Sequence, residues 1–265
     1  MEISSVLLFG LVVMGTHFLE GITGFGCTVL ALPFCIALAG ITTSVPVLVV
    51  LGLVLCLYVV LVDYRHIVWR EYFKIVCLVA LGLPVGIWIF QNLPEDNLKT
   101  ILGVFMILVA VRGLLMAAKP LLKKAEAASW QMAEQCTDES SRQHKKSSWL
   151  KRIVLDVLLF GGGIVHGAFS SGGPFVVIYA SQALPDKSNF RATLCMLWVT
   201  LNSVLVFHNW QAGLMTEAVN SLLLASLPFL AVGMVLGNLA HKHIKSGLFN
   251  VLVYGILLIS GFFMI

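Results

Sequence analysis

From Thr42 to Val62 no Asp, Glu, Lys, Arg or His interrupts the chain. An α-helix rises 1.5 Å per residue, so about 20 such residues cross a hydrocarbon core of roughly 30 Å. A run of this kind commits the chain to a bilayer, and it has company. Apolar segments fall at 3–20, 27–40, 42–62, 73–92, 98–117, 153–169, 174–184, 192–209, 218–239 and 246–265, and most of them reach spanning length. The chain is 59% hydrophobic and 11% charged, against about 25% charged in ordinary soluble domains. The expectation is an all-α polytopic membrane protein of the cell (plasma) membrane.

The formal net charge of +4 comes from Lys and Arg in short loops and one polar linker. That is the pattern of cytoplasmic loop charge, so no nucleic acid partner is expected. The start, MEISSVLLFG, lacks the basic n-region of a signal peptide and reads as a retained first segment. The six cysteines form no CxxC pair, and five lie in apolar stretches, where they read as reduced, small apolar fillers. No metal ligand set and no cofactor motif stands out.

Two apolar segments, 27–40 and 174–184, are too short to span, and each directly follows a glycine-rich interruption. Segments of this length are re-entrant candidates. The polar stretch 118–152 separates a first membrane repeat, 1–117, from a second, 153–265, and Ala125 to Glu134 suits a short surface helix. An offset of 146 residues sets Gly21 on Gly167, Gly26 on Gly172 and Glu71 on Glu217, and short and long segments recur in the same order.

Loop charge orients the halves. The stretches 63–74 and 241–246 and the linker are basic, whereas 91–97 and 209–217 carry acid and no Lys or Arg. By the positive-inside rule, equivalent loops then lie on opposite sides. The expectation is an inverted-topology repeat, each half a Gly-broken helix hairpin plus three transmembrane helices. The linker would be cytoplasmic and both termini extracytoplasmic.

Broken backbone within a membrane is tolerated where it is buried in protein or lines a cavity. In inverted-repeat transporters such breaks sit near the midplane, with half-helix N-termini aimed at anionic groups. Gly24, Gly26, Gly172 and Gly173 allow close approach and unusual φ/ψ, and Thr28, Ser170 and Ser171 add hydroxyl donors. Helices starting near Cys27 and Pro174 would each offer unpaired N–H groups and about half a positive charge. Pro174 suits a first turn. Two opposed breaks make a pocket for a small anionic substrate, with Asn202 and Ser203 as further lining candidates. The competing reading is that the glycines only let helices pack closely.

The stretches GITGFGCTVLALP and GAFSSGGP, near the start of two repeated halves, resemble the sulfite exporter TauE/SafE family, also called the 4-toluene sulfonate uptake permease family. The family pattern is close to GxGGG with a proline five residues on. The first copy reads Gly24-Phe25-Gly26-Cys27-Thr28 and keeps Pro33; the second reads Ser170-Ser171-Gly172-Gly173-Pro174 and has Tyr179 where proline is expected. The resemblance implies a secondary transporter, acting as an exporter, of sulfite, organosulfonates or related sulfur-containing anions.

Ionisable groups inside membrane segments are functional candidates. Glu20 precedes the first break, His166 holds the equivalent place in the second, and His17 lies three residues before Glu20 on the same helix face. These three are candidates for proton coupling; a helix cap, an ion pair or a backbone hydrogen bond would explain them as well. Arg112 and Arg191, near segment ends, read as snorkelling anchors. Cys27, at the tip of the first break, could touch a sulfur substrate or simply pack. Two rivals to a carrier remain: a passive anion channel, and an intramembrane hydrolase using Ser170 with His166 at i, i+4 spacing. Sodium coupling and a homodimer stay open.

Overall fold

The computed structural model describes residues 3–24, 27–130 and 144–240, with 258, 261 and 262. Nine helices, and no strand, are found among them: α1 (Ile3–Thr23), α2 (Cys27–Ala39), α3 (Ile41–Asp63), α4 (Trp69–Asn92), α5 (Glu95–Trp130), α6 (His144–Phe169), α7 (Gly173–Ala183), α8 (Lys187–Gln211) and α9 (Glu217–Ala240), with a 3₁₀ turn at Tyr64–His66. Six stretches, 3–22, 41–66, 69–92, 95–115, 187–211 and 217–240, are long and apolar enough to cross a membrane. The chain is an all-α polytopic membrane protein, as its apolar runs require. The two short segments become α2, with 13 residues, and α7, with 11.

Two boundaries move. α5 runs unbroken to Trp130 and α6 begins at His144, so helix extends into the polar stretch from both sides. The separate helix expected over Ala125–Glu134 is instead, as far as Trp130, the end of α5. Residues 131–143, the basic stretch 241–246 and most of the last apolar segment lie outside the described residues.

Polarity is arranged as lipid demands. Leu8, Leu61, Leu81, Trp88, Leu108, Phe207 and Trp210 are exposed, while His17, Glu20, His166, Arg191 and Asn202 are buried. A bilayer offers no hydrophobic drive between helices, so association depends on close packing of small residues. Gly82 and Gly86 of α4 meet Gly163 and Gly167 of α6 so tightly that a methyl group on Gly86 would strike the Ile164 carbonyl, and one on Gly163 the Val79 carbonyl. Gly21 of α1 and Gly237 of α9 pair likewise, and a methyl on Gly233 would strike the Met14 carbonyl. Gly21 and Gly167 thus serve close helix packing.

These contacts fix direction. Contact positions rise together along α4 and α6, and again along α1 (Met14, Phe18) and α9 (Gly233, Gly237), so each pair runs parallel. α3 and α8 run antiparallel, because Gly52 meets Asn202 while Asp63 meets Arg191. They form the centre against which both broken hairpins pack.

Candidate functional site

Each hairpin breaks in the same manner. The Gly24 N–H donates to the Glu20 carbonyl at 2.7 Å, and the Ser170 N–H to the His166 carbonyl at 2.7 Å. Both residues then turn left-handed, with φ of 79° at Gly24 and 52° at Ser170, which ends α1 and α6 in the way glycine ends many helices. Serine in this region is uncommon and mildly strained. The second hairpin thus places Ser170, not a glycine, at its left-handed position. Gly172 is ordinary helical backbone at φ −67° and ψ −7°. Its requirement for glycine is steric: a methyl there would hit the Gly162 carbonyl and come within 2.8 Å of the His166 Cβ.

Between the breaks, half-way along α3 and α8, lies a cavity lined by Glu20, Thr28, Val29, Gly52, His166, Ser170, Ser171, Gly173, Trp198 and Asn202. The cavity is small, about 20 Å³, enough for one or two waters. Ser170 Oγ donates to Asn202 Oδ1 at 3.1 Å, and Ser171 Oγ to the Phe169 carbonyl at 3.0 Å. The Cys56 thiol donates to Glu20 Oε1 at 3.8 Å. His166 lies flat against Trp198, ring centroids 5.1 Å apart, and Trp198 Nε1 donates to the Gly24 carbonyl at 3.1 Å. Asn202 is near the His166 ring, yet neither ring nitrogen makes a well-formed hydrogen bond among the described residues. α7 starts at Gly173, which lines the cavity, with Pro174 in its first turn and no side-chain cap, so the start of this helix is left open to the cavity without a capping side chain.

Of the expected site residues, Thr28, Ser170, Ser171, Gly173, Asn202, Glu20 and His166 come together at this cavity. Gly24 and Gly172 stand behind its wall. His17 does not line the cavity: it is fully buried, and its Nδ1 lies 2.8 Å from the Val13 carbonyl. Gly26 lies outside the described residues, and Cys27 is described only as the first residue of α2. Ser203 is exposed and donates to the Val199 carbonyl, away from the cavity. The Ser–His pair of a hydrolase is not formed, because Ser170 Oγ is directed to Asn202.

Arg191 corrects another expectation. It is no snorkelling anchor but 1% exposed, with Nη1 on Asp63 Oδ2 at 2.8 Å and Nη2 on Asn238 Oδ1 at 2.9 Å. Its backbone and side chain close off the space behind Gly24, where a Cβ would meet Arg191 Cα at 2.9 Å. Arg112 is exposed, as an anchor should be. Tyr179, standing where a proline was expected, ties α7 to α4: its hydroxyl donates to Glu71 Oε2 at 2.6 Å and accepts from Lys74 Nζ at 2.7 Å.

Val29, Gly52, Cys56 and Trp198 were not anticipated. A signal existed for three of them. The offset of 146 that sets Glu20 on His166 also sets Cys56 on Asn202 and Gly52 on Trp198. Following it from the breaks into α3 and α8 would have found them.

Known proteins bear on this geometry. A family profile described as "Sulfite exporter TauE/SafE" matches residues 7–264. A Comamonas testosteroni protein, "Probable inner membrane transporter protein TsaS", is 24% identical over 183 residues. That stretch is 69% of this chain and 66% of the relative, just under two thirds of the relative's length. No solved structure matches the chain. With nearly its whole length matched, the chain belongs to the sulfite exporter TauE/SafE family, whose members are membrane transporters and not enzymes.

Proposed function

We propose that the protein is a secondary carrier, working as an exporter, of a small sulfur-containing oxyanion such as sulfite or a short organosulfonate. One observation carries this: polar groups of both broken hairpins, Thr28 of the first with Ser170, Ser171 and the start of α7 of the second, meet the Asn202 amide of α8 at one cavity half-way along the central helices. Preorganised N–H and O–H groups at a helix start are the means by which an anion is held without a fixed cation. The side chains that line the cavity are buried, which fits a carrier with a central site better than a wide open channel.

Parallel α1–α9 and α4–α6 seams around an antiparallel α3–α8 pair are what two halves of opposite orientation require, and they support the inverted repeat. In that arrangement the middle of α3 and α8 lies near the bilayer midplane, the linker is cytoplasmic and the termini are extracytoplasmic.

Glu20 adds proton coupling to the proposal. An ionised carboxylate beside an anion is repulsive, so protonation of Glu20 or His166 favours anion binding, and linkage makes the effect reciprocal. One charge moved through 100 mV is worth about 2.3 kcal/mol, so a co-bound proton changes how membrane potential drives a monovalent anion. Export is already downhill for an anion when the inside is negative, so protons tune this flux without being needed to power it.

Flux of sulfite, sulfonates and carboxylates into proteoliposomes, with and without a pH gradient, tests both claims. Sulfur oxyanions should be carried in preference to carboxylates. Glu20→Gln and His166→Gln should flatten the pH profile more than they lower the maximal flux. Equal flux of all anions would overturn the substrate class, and unchanged pH profiles in both variants would leave a uniporter.

A further inference from the structure

We propose that Trp198 sets the size limit of the anion site and holds its two walls in register; this rests on the carrier proposed above. The indole touches both breaks. Its Nε1 donates to the carbonyl of Gly24, the residue at which α1 stops, and its face covers His166, four residues before the left-handed Ser170. A backbone carbonyl released at a helix end within a membrane must find a donor in the protein. Indole has a single donor and no acceptor, so that bond fixes which edge of the ring points to the first break. The ring is 4% exposed and lines the cavity.

Across the site the corresponding position is Gly52, whose missing side chain leaves the opposite wall bare; even a Cβ there would come within 3.4 Å of Asn202 Nδ2. One large ring therefore fills a space that the two halves would otherwise share. The cavity that it leaves is small, about 20 Å³, so a compact head group needs less added room than an aryl one. Removing the ring opens room that Gly52 cannot refill, because cores close only partly around a deleted side chain. The indole is thus a positioning residue for the first break and a size filter for the substrate.

Purified wild type, Trp198→Ala and Trp198→Phe in proteoliposomes are given sulfite, methanesulfonate and benzenesulfonate, and KM and maximal flux are measured for each. Wild type should carry sulfite well and benzenesulfonate poorly. Trp198→Ala should raise the benzenesulfonate-to-sulfite ratio of kcat/KM by about tenfold or more, chiefly through a lower KM for the aryl anion. Trp198→Phe, smaller but still aromatic, should raise it by an intermediate step. A merely structural tryptophan would lower all fluxes together and leave the ratio alone; that result overturns the inference. If Trp198→Ala fails to fold, Trp198→Phe decides, and an unraised ratio in it overturns the inference. Wild type favouring benzenesulfonate removes the size filter while leaving the carrier intact. Wild type that carries none of the three overturns the carrier for these sulfur anions, and the filter with it.

Discussion

At Gly24 and at Ser170 the backbone makes the same left-handed stop, yet one hairpin uses glycine and the other serine. What lies behind each residue accounts for the difference. A side chain at 24 would run into Arg191 Cα, held by the buried Arg191–Asp63 pair. At 170 the space leads to Asn202, which accepts the hydroxyl's hydrogen bond. Conformation alone would have chosen glycine twice. Tertiary surroundings kept it once and replaced it once by a donor, at the cost of some strain. The same divergence runs through the site: Glu20 against His166, Cys56 against Asn202, Gly52 against Trp198. The two hairpins make the same backbone stop and differ in chemistry: the acid at the cavity is on the first, and Ser170 and Ser171 are on the second.

The largest expected effect tests whether the halves are opposed at all. Single cysteines at Arg65 and Ala212, both exposed and in equivalent loops, are introduced after the native cysteines have been replaced. A membrane-impermeant maleimide should label Ala212→Cys only from outside intact cells and Arg65→Cys only after the membrane is opened. Labelling of both from one side would end the inverted repeat.

Next comes the first stop. Gly24→Val puts a β-branched residue at φ 79° against the Arg191 backbone. Left-handed strain and overpacking together should cost about 3 kcal/mol, seen as a clear fall in the detergent melting temperature. A variant as stable as wild type would mean that Arg191 yields easily and does not enforce the glycine.

Much of this was legible in the chain. Charge-free runs gave the spanning helices to within a few residues, and glycine clusters beside half-length segments gave both breaks, because lipid forces backbone hydrogen bonding to follow local sequence. Thr28, Ser170, Ser171 and Gly173, which stand in or beside the interruptions, and Asn202, a polar residue inside an apolar span, line one cavity. Arg191 was misread because its partners, Asp63 and Asn238, are 128 and 47 residues away, and a cation near a segment end ordinarily snorkels. Trp198 was missed because an aromatic in an apolar span carries no local sign of what its ring covers. The glycines divide by role: Gly21 and Gly167 serve helix seams, Gly172 packs on α6, and Gly24 alone of these four combines a left-handed turn with a close neighbour.

The smallest effect on stability should come from the second stop. Ser170→Gly relieves left-handed strain of roughly 1–2 kcal/mol. It also frees the unfolded chain by roughly 0.5–1 kcal/mol and loses the bond to Asn202, worth about 1 kcal/mol. These nearly cancel, so the melting temperature should hardly move. Transport should move, because the hydroxyl at the cavity wall is gone and Asn202 is no longer oriented: KM for sulfite should rise by about tenfold, the loss of one hydrogen bond to a charged ligand, with maximal flux less affected. Strain is kept at functional positions when the strained residue does something a relaxed one cannot. A Ser170→Gly protein that is more stable by over about 1 kcal/mol and carries sulfite with an unchanged KM would show that the serine holds nothing. The contrast between the two hairpins would then be drift, not division of labour.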